Sequence, residues 1–174
     1  MRKRNHISWT FAISLWIYYF IFDYNLKITL ILSIITAWIS FLPDIDITIV
    51  NYIKKFERFT LYLSWPITVL AKVFFRHRKI THTLYLPALF FIVAEIITVP
   101  DVPLTIALRI FYLAITLHII EDMFTVQGID FLYPLPPHLK LGNFTTKSYI
   151  TMLFLDLVAY TFAILFFFWN KITL

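Results

Sequence analysis

Histidine and carboxylate side chains recur at the polar ends of the apolar runs in this sequence. His6 precedes the first run, and L-P-D-I-D at 42–46 closes the second. The segment R-H-R-K-I-T-H-T at 76–83 precedes a later run, and L-H-I-I-E-D at 117–122 closes the next. Imidazole and carboxylate groups together suit zinc, manganese or iron. If these ends lie on one side of a membrane, they predict a metal site.

The composition indicates that membrane helices position these side chains. The chain has 174 residues, of which 60% are hydrophobic and 14% charged, and its mean hydropathy is +0.80. Ordinary globular domains are about a quarter charged. The apolar runs are continuous, which favours helices over the alternating strands of a membrane barrel. Because the chain has no cysteine, thiolate metal sites, disulfides and a cysteine nucleophile are excluded.

Five apolar runs are predicted to cross the membrane as helices, although several are short for a full crossing. They are 7–22, 28–42, 84–99, 103–120 and 149–170. A sixth run, 60–75, is ambiguous because it contains Pro66 and Lys72. If it does not cross and the N-terminus is cytoplasmic, twelve of the fifteen Lys and Arg residues lie inside. The positive-inside rule therefore favours five helices plus a re-entrant or interfacial segment near 47–76.

The predicted fold class is thus an all-α integral membrane protein of one domain, residues 1–174, in the cell membrane with a cytoplasmic N-terminus. In this topology the histidines and carboxylates all face the cytoplasmic surface. The net charge of +5 then indicates contact with anionic lipid headgroups rather than with nucleic acid. Oligomeric state is not indicated by any pattern in the chain.

Each motif has a simpler explanation when it is taken alone. A histidine at a helix end is usually a polar anchor, a D-x-D after proline usually caps a helix, and R-H-R-K at 76–79 is a basic interfacial anchor. His118 and Asp122 share a helix face, which a structural hydrogen bond would also explain. Their joint occurrence at one depth is what favours a metal site.

At these residues the chain resembles the YdjM-like family of membrane-bound, metal-dependent hydrolases. The matching elements are an N-terminal histidine, His6; F-L-P-D-I-D at 41–46; H-R-K-I-T-H-T at 77–83; and H-I-I-E-D-M-F-T-V-Q-G-I-D-F-L-Y-P at 118–134. Their order and spacing agree with the family pattern over about residues 1–137. Lys79 stands where the family has glycine, Thr83 where it has serine, and Ile47 where a histidine often follows. The resemblance implies a helical membrane hydrolase with a metal site.

The leading hypothesis is therefore a metal-dependent hydrolase that acts on a phosphoester or another bond of an anionic, lipid-like substrate. The predicted metal ligands are His6, Asp44, Asp46, His82, His118 and Asp122. Six ligands are many for one zinc ion, so one or two divalent ions are expected, with zinc first and manganese or iron as alternatives. The predicted catalytic residues are His77 as general acid or base, Arg78 as a clamp for an anionic oxygen, and Glu121 as an alternative base.

Two other function classes are compatible with the same residues. A metal-ion transporter or sensor would place histidines and carboxylates at membrane depth, but it predicts polar residues that continue through the bilayer. A membrane scaffold with a structural metal is the third class. The remaining intramembrane charges are Glu95, Arg109 and Asp156. We expect Glu95 and Arg109 to form an ion pair within about 6 Å, because they lie at similar depth on antiparallel neighbours, and Asp156 to support the metal site.

Overall fold

The computed structural model describes residues 3–44, 82–97, 102–125, 128–130, 132, 138, 140–142 and 149–172. The predicted all-α class agrees with this part of the chain, where the regular elements are helical and no β-strand occurs. The predicted re-entrant or interfacial segment near 47–76, and the ambiguous run 60–75 within it, lie outside the described residues.

Five helices follow one another at the positions of the five predicted apolar runs. They are α1 (Lys3–Trp16), α2 (Leu26–Ile39), α3 (Tyr85–Ile92), α4 (Pro103–Met123) and α5 (Tyr149–Ile172). Short turns of other helix types extend three of them: π-helical turns at Ile17–Ile21 after α1 and Val93–Ile97 after α3, and a 3-10 turn at Leu42–Asp44 after α2.

Local signals explain where two of the helices begin. The Asn25 side chain accepts a hydrogen bond from the backbone N–H of Ile28 and so caps the start of α2. Pro103 occupies the first turn of α4, where its missing N–H costs no helical hydrogen bond.

Three of the described helices, rather than the predicted five, are long and apolar enough to cross a membrane. They are Leu26–Asp44, Pro103–Met123 and Ile150–Trp169, and a shorter apolar helix runs over Tyr85–Ile96. Helix α1 falls outside this set because buried polar residues interrupt its apolar sequence. These are Asn5, His6, Ser8, Thr10 and Ser14. The prediction of five spans was therefore too high for the described helices when it is judged by length and hydropathy.

Helix α1 is the central element of the bundle, since it packs against α2, α4 and α5. Small residues bring α1 and α5 close together: Ala12 faces Ala159 and Ala163 in one buried cluster. Close approach through small residues is how membrane helices gain packing contacts in the absence of a hydrophobic driving force. Helix α4 in turn packs against α2 and α3, so the described helices form one connected bundle.

The outer faces of the bundle expose large apolar side chains. Examples are Ile31, Ile35 and Trp38 on α2, and Leu153, Leu157 and Ile164 on α5. Contiguous apolar surface of this kind is rare on soluble monomers and is suited to contact with lipid. The exposed faces and the three long apolar helices together support a membrane location.

An ion pair joins α4 to the turn after α3, as predicted. Arg109 Nε and Nη2 donate to the two Glu95 carboxylate oxygens at 2.8 and 2.9 Å, which is a bidentate pair. Arg109 Nη1 donates to the Tyr24 hydroxyl at 2.6 Å, and the Tyr112 hydroxyl donates to Glu95. The guanidinium also lies 4.4 Å from the centroid of the Phe22 ring. This network ties α3 and α4 to the segment that links α1 and α2.

Removing one partner of this pair should destabilise the protein more than removing both. We expect Arg109→Met to lower the free energy of unfolding by about 3 kcal/mol, because it leaves a carboxylate without its counter-charge in a low-dielectric setting. The Arg109→Met/Glu95→Gln double variant should recover part of that loss. Thermal unfolding in detergent measures both effects, with Lys27→Met, an exposed cation, as the control. Additive losses in the double variant would contradict this account.

Candidate metal centre

Four helix ends meet at one end of the bundle and bring five of the six predicted ligands together. His6 lies in the first turns of α1, and Asp44 ends the 3-10 turn that follows α2. His82 lies in the turn that precedes α3, and His118 and Asp122 lie one turn apart near the end of α4. Because successive helices alternate in direction, residues that are far apart in the sequence share this end.

Four side chains converge on one point, with one ligand atom each from Asp44, His82, His118 and Asp122 all within 4.8 Å of one another. The two histidine Nε2 atoms are 3.1 Å apart. The distances from His82 Nε2 to Asp44 Oδ1 and Asp122 Oδ2 are 3.5 and 3.6 Å. Those from His118 Nε2 to the same two oxygens are 3.7 and 3.9 Å.

These separations fit a shared metal ion better than a hydrogen-bonded network. Two atoms bound to one tetrahedral zinc ion at about 2.0–2.1 Å lie roughly 3.3–3.4 Å from each other. The four nitrogen-to-oxygen distances are longer than hydrogen bonds, which run from about 2.7 to 3.2 Å. The buried carboxylate of Asp122 and the half-buried one of Asp44 also repel each other, and a divalent cation between them would offset that cost. The four residues can therefore hold a metal ion.

Burial distinguishes one ligand from the other three. The side chains of His82 and His118 are 0% exposed and that of Asp122 is 1% exposed, whereas Asp44 is 24% exposed. Three of the four groups are thus sealed inside the bundle. The side of Asp44 is the open side of the cluster, from which a molecule outside the bundle can approach.

His6 and Glu121 form a second layer beside this cluster. His6 Nδ1 lies 2.5 Å from Glu121 Oε2, and the Thr10 hydroxyl donates to Glu121 Oε1 at 3.1 Å. The other nitrogen, His6 Nε2, lies 3.5 Å from Asp122 Oδ1, and the His6 ring stacks on the His118 ring. Glu121 thus contacts His6 and Thr10 directly. Its predicted role as a base stays a prediction.

The end of α4 is held in a way that fixes Asp122. The Thr125 backbone N–H and hydroxyl both donate to the Asp122 carbonyl, at 3.1 and 2.8 Å. The chain then returns against this end at Gly142, where a Cβ would lie 2.6 Å from the Phe124 carbonyl oxygen. That contact is too short for any other residue, so glycine is required for the return.

Asp156 supports α1 rather than the metal ligands directly. Its Oδ1 accepts hydrogen bonds from Asn5 Nδ2 at 2.8 Å and from the Ser8 hydroxyl at 2.7 Å. Asn5 Nδ2 also donates to the Met152 carbonyl. These bonds fix α1 against α5 in the turn that carries His6. The predicted supporting role of Asp156 is therefore carried through α1.

Three polar residues of α1 beside the site were not predicted from the sequence: Asn5, Ser8 and Thr10. A signal for them was present, because polar residues inside a membrane helix are costly and usually mark a function or a partner. Thr10 also lies four residues after His6, which places both on one helix face. Three predicted site residues, Asp46, His77 and Arg78, lie outside the described residues, and their roles stay predictions.

The comparisons with known proteins give one family and no individual relative. The family described as YdjM inner membrane protein matches residues 1–173 of the chain. Neither the curated proteins nor the solved structures provide a significant match. The family match covers the helices and every residue of the candidate metal centre.

Purified protein should carry bound divalent metal that depends on this cluster. We expect His82→Ala and His118→Ala to lower metal affinity by at least about 100-fold, since even the partners of metal ligands contribute about 10–100-fold. Elemental analysis of detergent-purified protein after dialysis against a weak chelator measures the loss.

His138→Ala is the matched control for these variants. His138 pairs with Asp130 at 2.6 Å, is 54% exposed and is not one of the four residues of the cluster. It should leave bound metal unchanged. Retention of metal by both His82→Ala and His118→Ala would refute the site.

Proposed function

The chain belongs to the YdjM family of inner membrane proteins, and from this premise we propose that it is a membrane-embedded, metal-dependent hydrolase. It acts at the cytoplasmic interface on a phosphoester or another bond of an anionic, lipid-linked substrate. Zinc is the first choice of metal, with manganese and iron as alternatives that suit the same donors.

The observation that carries this proposal is the four-residue cluster of two imidazoles and two carboxylates, of which one side is open. Structural zinc sites are closed and commonly contain cysteine, whereas catalytic sites keep a coordination position for water or substrate. The nitrogen and oxygen donors and the partial exposure of Asp44 favour the catalytic kind. A divalent ion bound there would supply Lewis-acid polarisation of the attacked group and activate water near neutral pH.

The protein's own residues would orient the substrate and exclude water. The buried side chains of His82, His118 and Asp122 close the inner wall, so a substrate reaches the cluster from the Asp44 side. The predicted roles of Arg78, as a clamp on an anionic oxygen, and of His77, as acid or base, belong to this proposal. Both residues are within six positions of His82 in the sequence.

An apolar groove beside the cluster supports a substrate with an acyl chain. The groove has a volume of about 200 Å³ and is lined by six apolar residues of the turn after α2, of α3 and of α4: Leu42, Pro43, Leu86, Phe90, Phe111 and Ile115. Three of its lining residues are close in the sequence to residues of the metal cluster. Pro43 directly precedes Asp44, Leu86 is four residues after His82, and Ile115 is three residues before His118. A chain in this groove would hold the bond next to it at the cluster.

The distribution of charges disfavours the alternative of metal transport. Among the described residues, the charged side chains and imidazoles of the interior form the metal cluster with His6 and Glu121, the Arg109–Glu95 pair, and the bonds of Asp156 to α1. Arg109 and His118 are separated by nine residues of α4, about 13.5 Å. Ile110, Leu113 and Ile115 are buried in between, and α2 buries the hydroxyls of Ser33 and Thr36. A transport path would need carboxylate or imidazole ligands, rather than hydroxyls alone, through that layer.

Hydrolysis should depend on the cluster and on added metal. We expect Asp122→Asn and His118→Ala to lower the rate of hydrolysis by at least about 100-fold, because both alter the metal site on which the chemistry depends. Mass spectrometry of a phospholipid mixture incubated with the protein in detergent identifies the cleaved bond. His138→Ala should retain full activity, and activity that survives in Asp122→Asn without bound metal would overturn the proposal.

Blocking the groove should separate substrate binding from metal binding. Leu86→Trp places a bulky ring in the groove and should slow cleavage of a long-chain substrate at least about 10-fold, while a short, water-soluble analogue is cleaved normally. Leu89→Trp, on the same helix but not on the groove wall, is the control. Metal content should be unchanged in both. Equal effects of the two variants would rule out the groove as the acyl-chain site.

A further inference from the structure

The carboxylate of Asp122 faces histidines on both of its sides. Its Oδ2 belongs to the cluster with His82 and His118, at 3.6 and 3.9 Å from their Nε2 atoms. Its Oδ1 lies 3.5 Å from His6 Nε2. That distance is longer than a hydrogen bond and similar to the separations within the cluster. One Asp122 oxygen therefore faces His82 and His118, and the other faces His6.

The His6 and His118 rings lie side by side beside the Asp122 carboxylate. They are stacked, with centroids 4.1 Å apart and planes at 24°. Their Nε2 atoms face different oxygens of Asp122. Side-by-side imidazoles on a shared carboxylate suit two neighbouring ions, and two-metal hydrolytic sites hold their ions about 3.5–4 Å apart.

Glu121 completes the arrangement expected of a metal-binding histidine. A histidine that ligates metal usually donates its other ring N–H to a carboxylate, which fixes the tautomer and the ring orientation. His6 Nδ1 contacts Glu121 Oε2 at 2.5 Å, and Thr10 holds the other Glu121 oxygen. With the proton on Nδ1, the lone pair of His6 Nε2 is directed to the Asp122 side.

We infer that Asp122 bridges two divalent ions. The first is held by Asp44, His82, His118 and Asp122, and the second by His6 and Asp122. Glu121 is a positioning residue for His6, and the described residues supply only these two ligands to the second ion. This inference rests on the proposed function and narrows it, because a pair of ions suits in-line displacement at a phosphoester, where both the attacking and the leaving oxygen need stabilisation.

Metal stoichiometry tests the inference independently of activity. Full-length protein in detergent is titrated with Mn²⁺, and bound metal per chain is counted after removal of free ion. We expect two ions for the parent protein and for His138→Ala, one for His6→Ala, and none held tightly by Asp122→Asn. Electron paramagnetic resonance should show a spin-coupled pair in the parent and an isolated ion in His6→Ala.

Glu121→Gln separates positioning from ligation. It should still bind two ions at saturation, with an affinity for the second lowered by about 10–100-fold. Thermal unfolding of metal-free His6→Ala and Glu121→Gln establishes that both are folded, and His6→Gln provides a polar replacement if His6→Ala is not. A parent protein that binds one ion at saturation, unchanged in His6→Ala, overturns the second site but leaves the hydrolase proposal standing. A parent that binds none overturns both.

Discussion

Buried charge is the constraint on which this structure depends. A carboxylate or guanidinium inside a membrane protein is expensive unless a partner of opposite charge, or a metal ion, lies beside it. Asp44 and Asp122 approach each other at one end of the bundle, beside His82 and His118. A divalent cation bound among these four groups would offset the repulsion of the two carboxylates. The same cation would link the helix ends that meet at this point.

At the other charged centre, the charges are neutralised by side chains of the protein itself. Arg109 and Glu95 neutralise each other through two parallel hydrogen bonds, and tyrosine hydroxyls occupy further donor and acceptor positions. In this pair each charge is balanced by its partner, so no ligand is needed to neutralise it. The two centres therefore differ. The Arg109–Glu95 pair holds α3 and α4 against the connection between α1 and α2, whereas the metal cluster includes the partly exposed Asp44.

Much of this arrangement could be predicted from the sequence because it follows from hydropathy and alternation. The five apolar runs predicted the five helices, and antiparallel connection placed His82 and His118 at one end. The Arg109–Glu95 pair was predicted from the similar depth of the two residues in the membrane, and it is confirmed. The number of spanning helices was wrong for two reasons. The polar face of α1 lowers its hydropathy, and the apolar helix at Tyr85–Ile96 is too short to cross. The contact of Glu121 with His6 could not be predicted, since it depends on the rotation of α1 against α4.

The polar face of α1 also bears on how the protein reaches its membrane. A helix that carries Asn5, Ser8 and Thr10 gains little by entering lipid alone, because those groups would lose water without gaining partners. Their partners lie on α5 and α4, at Asp156 and Glu121. Packing of α1 against α4 and α5 satisfies these groups, and both of those helices follow α1 in the chain. His6 is carried on α1, so its contacts with Asp122 and Glu121 form only when α1 and α4 are packed together.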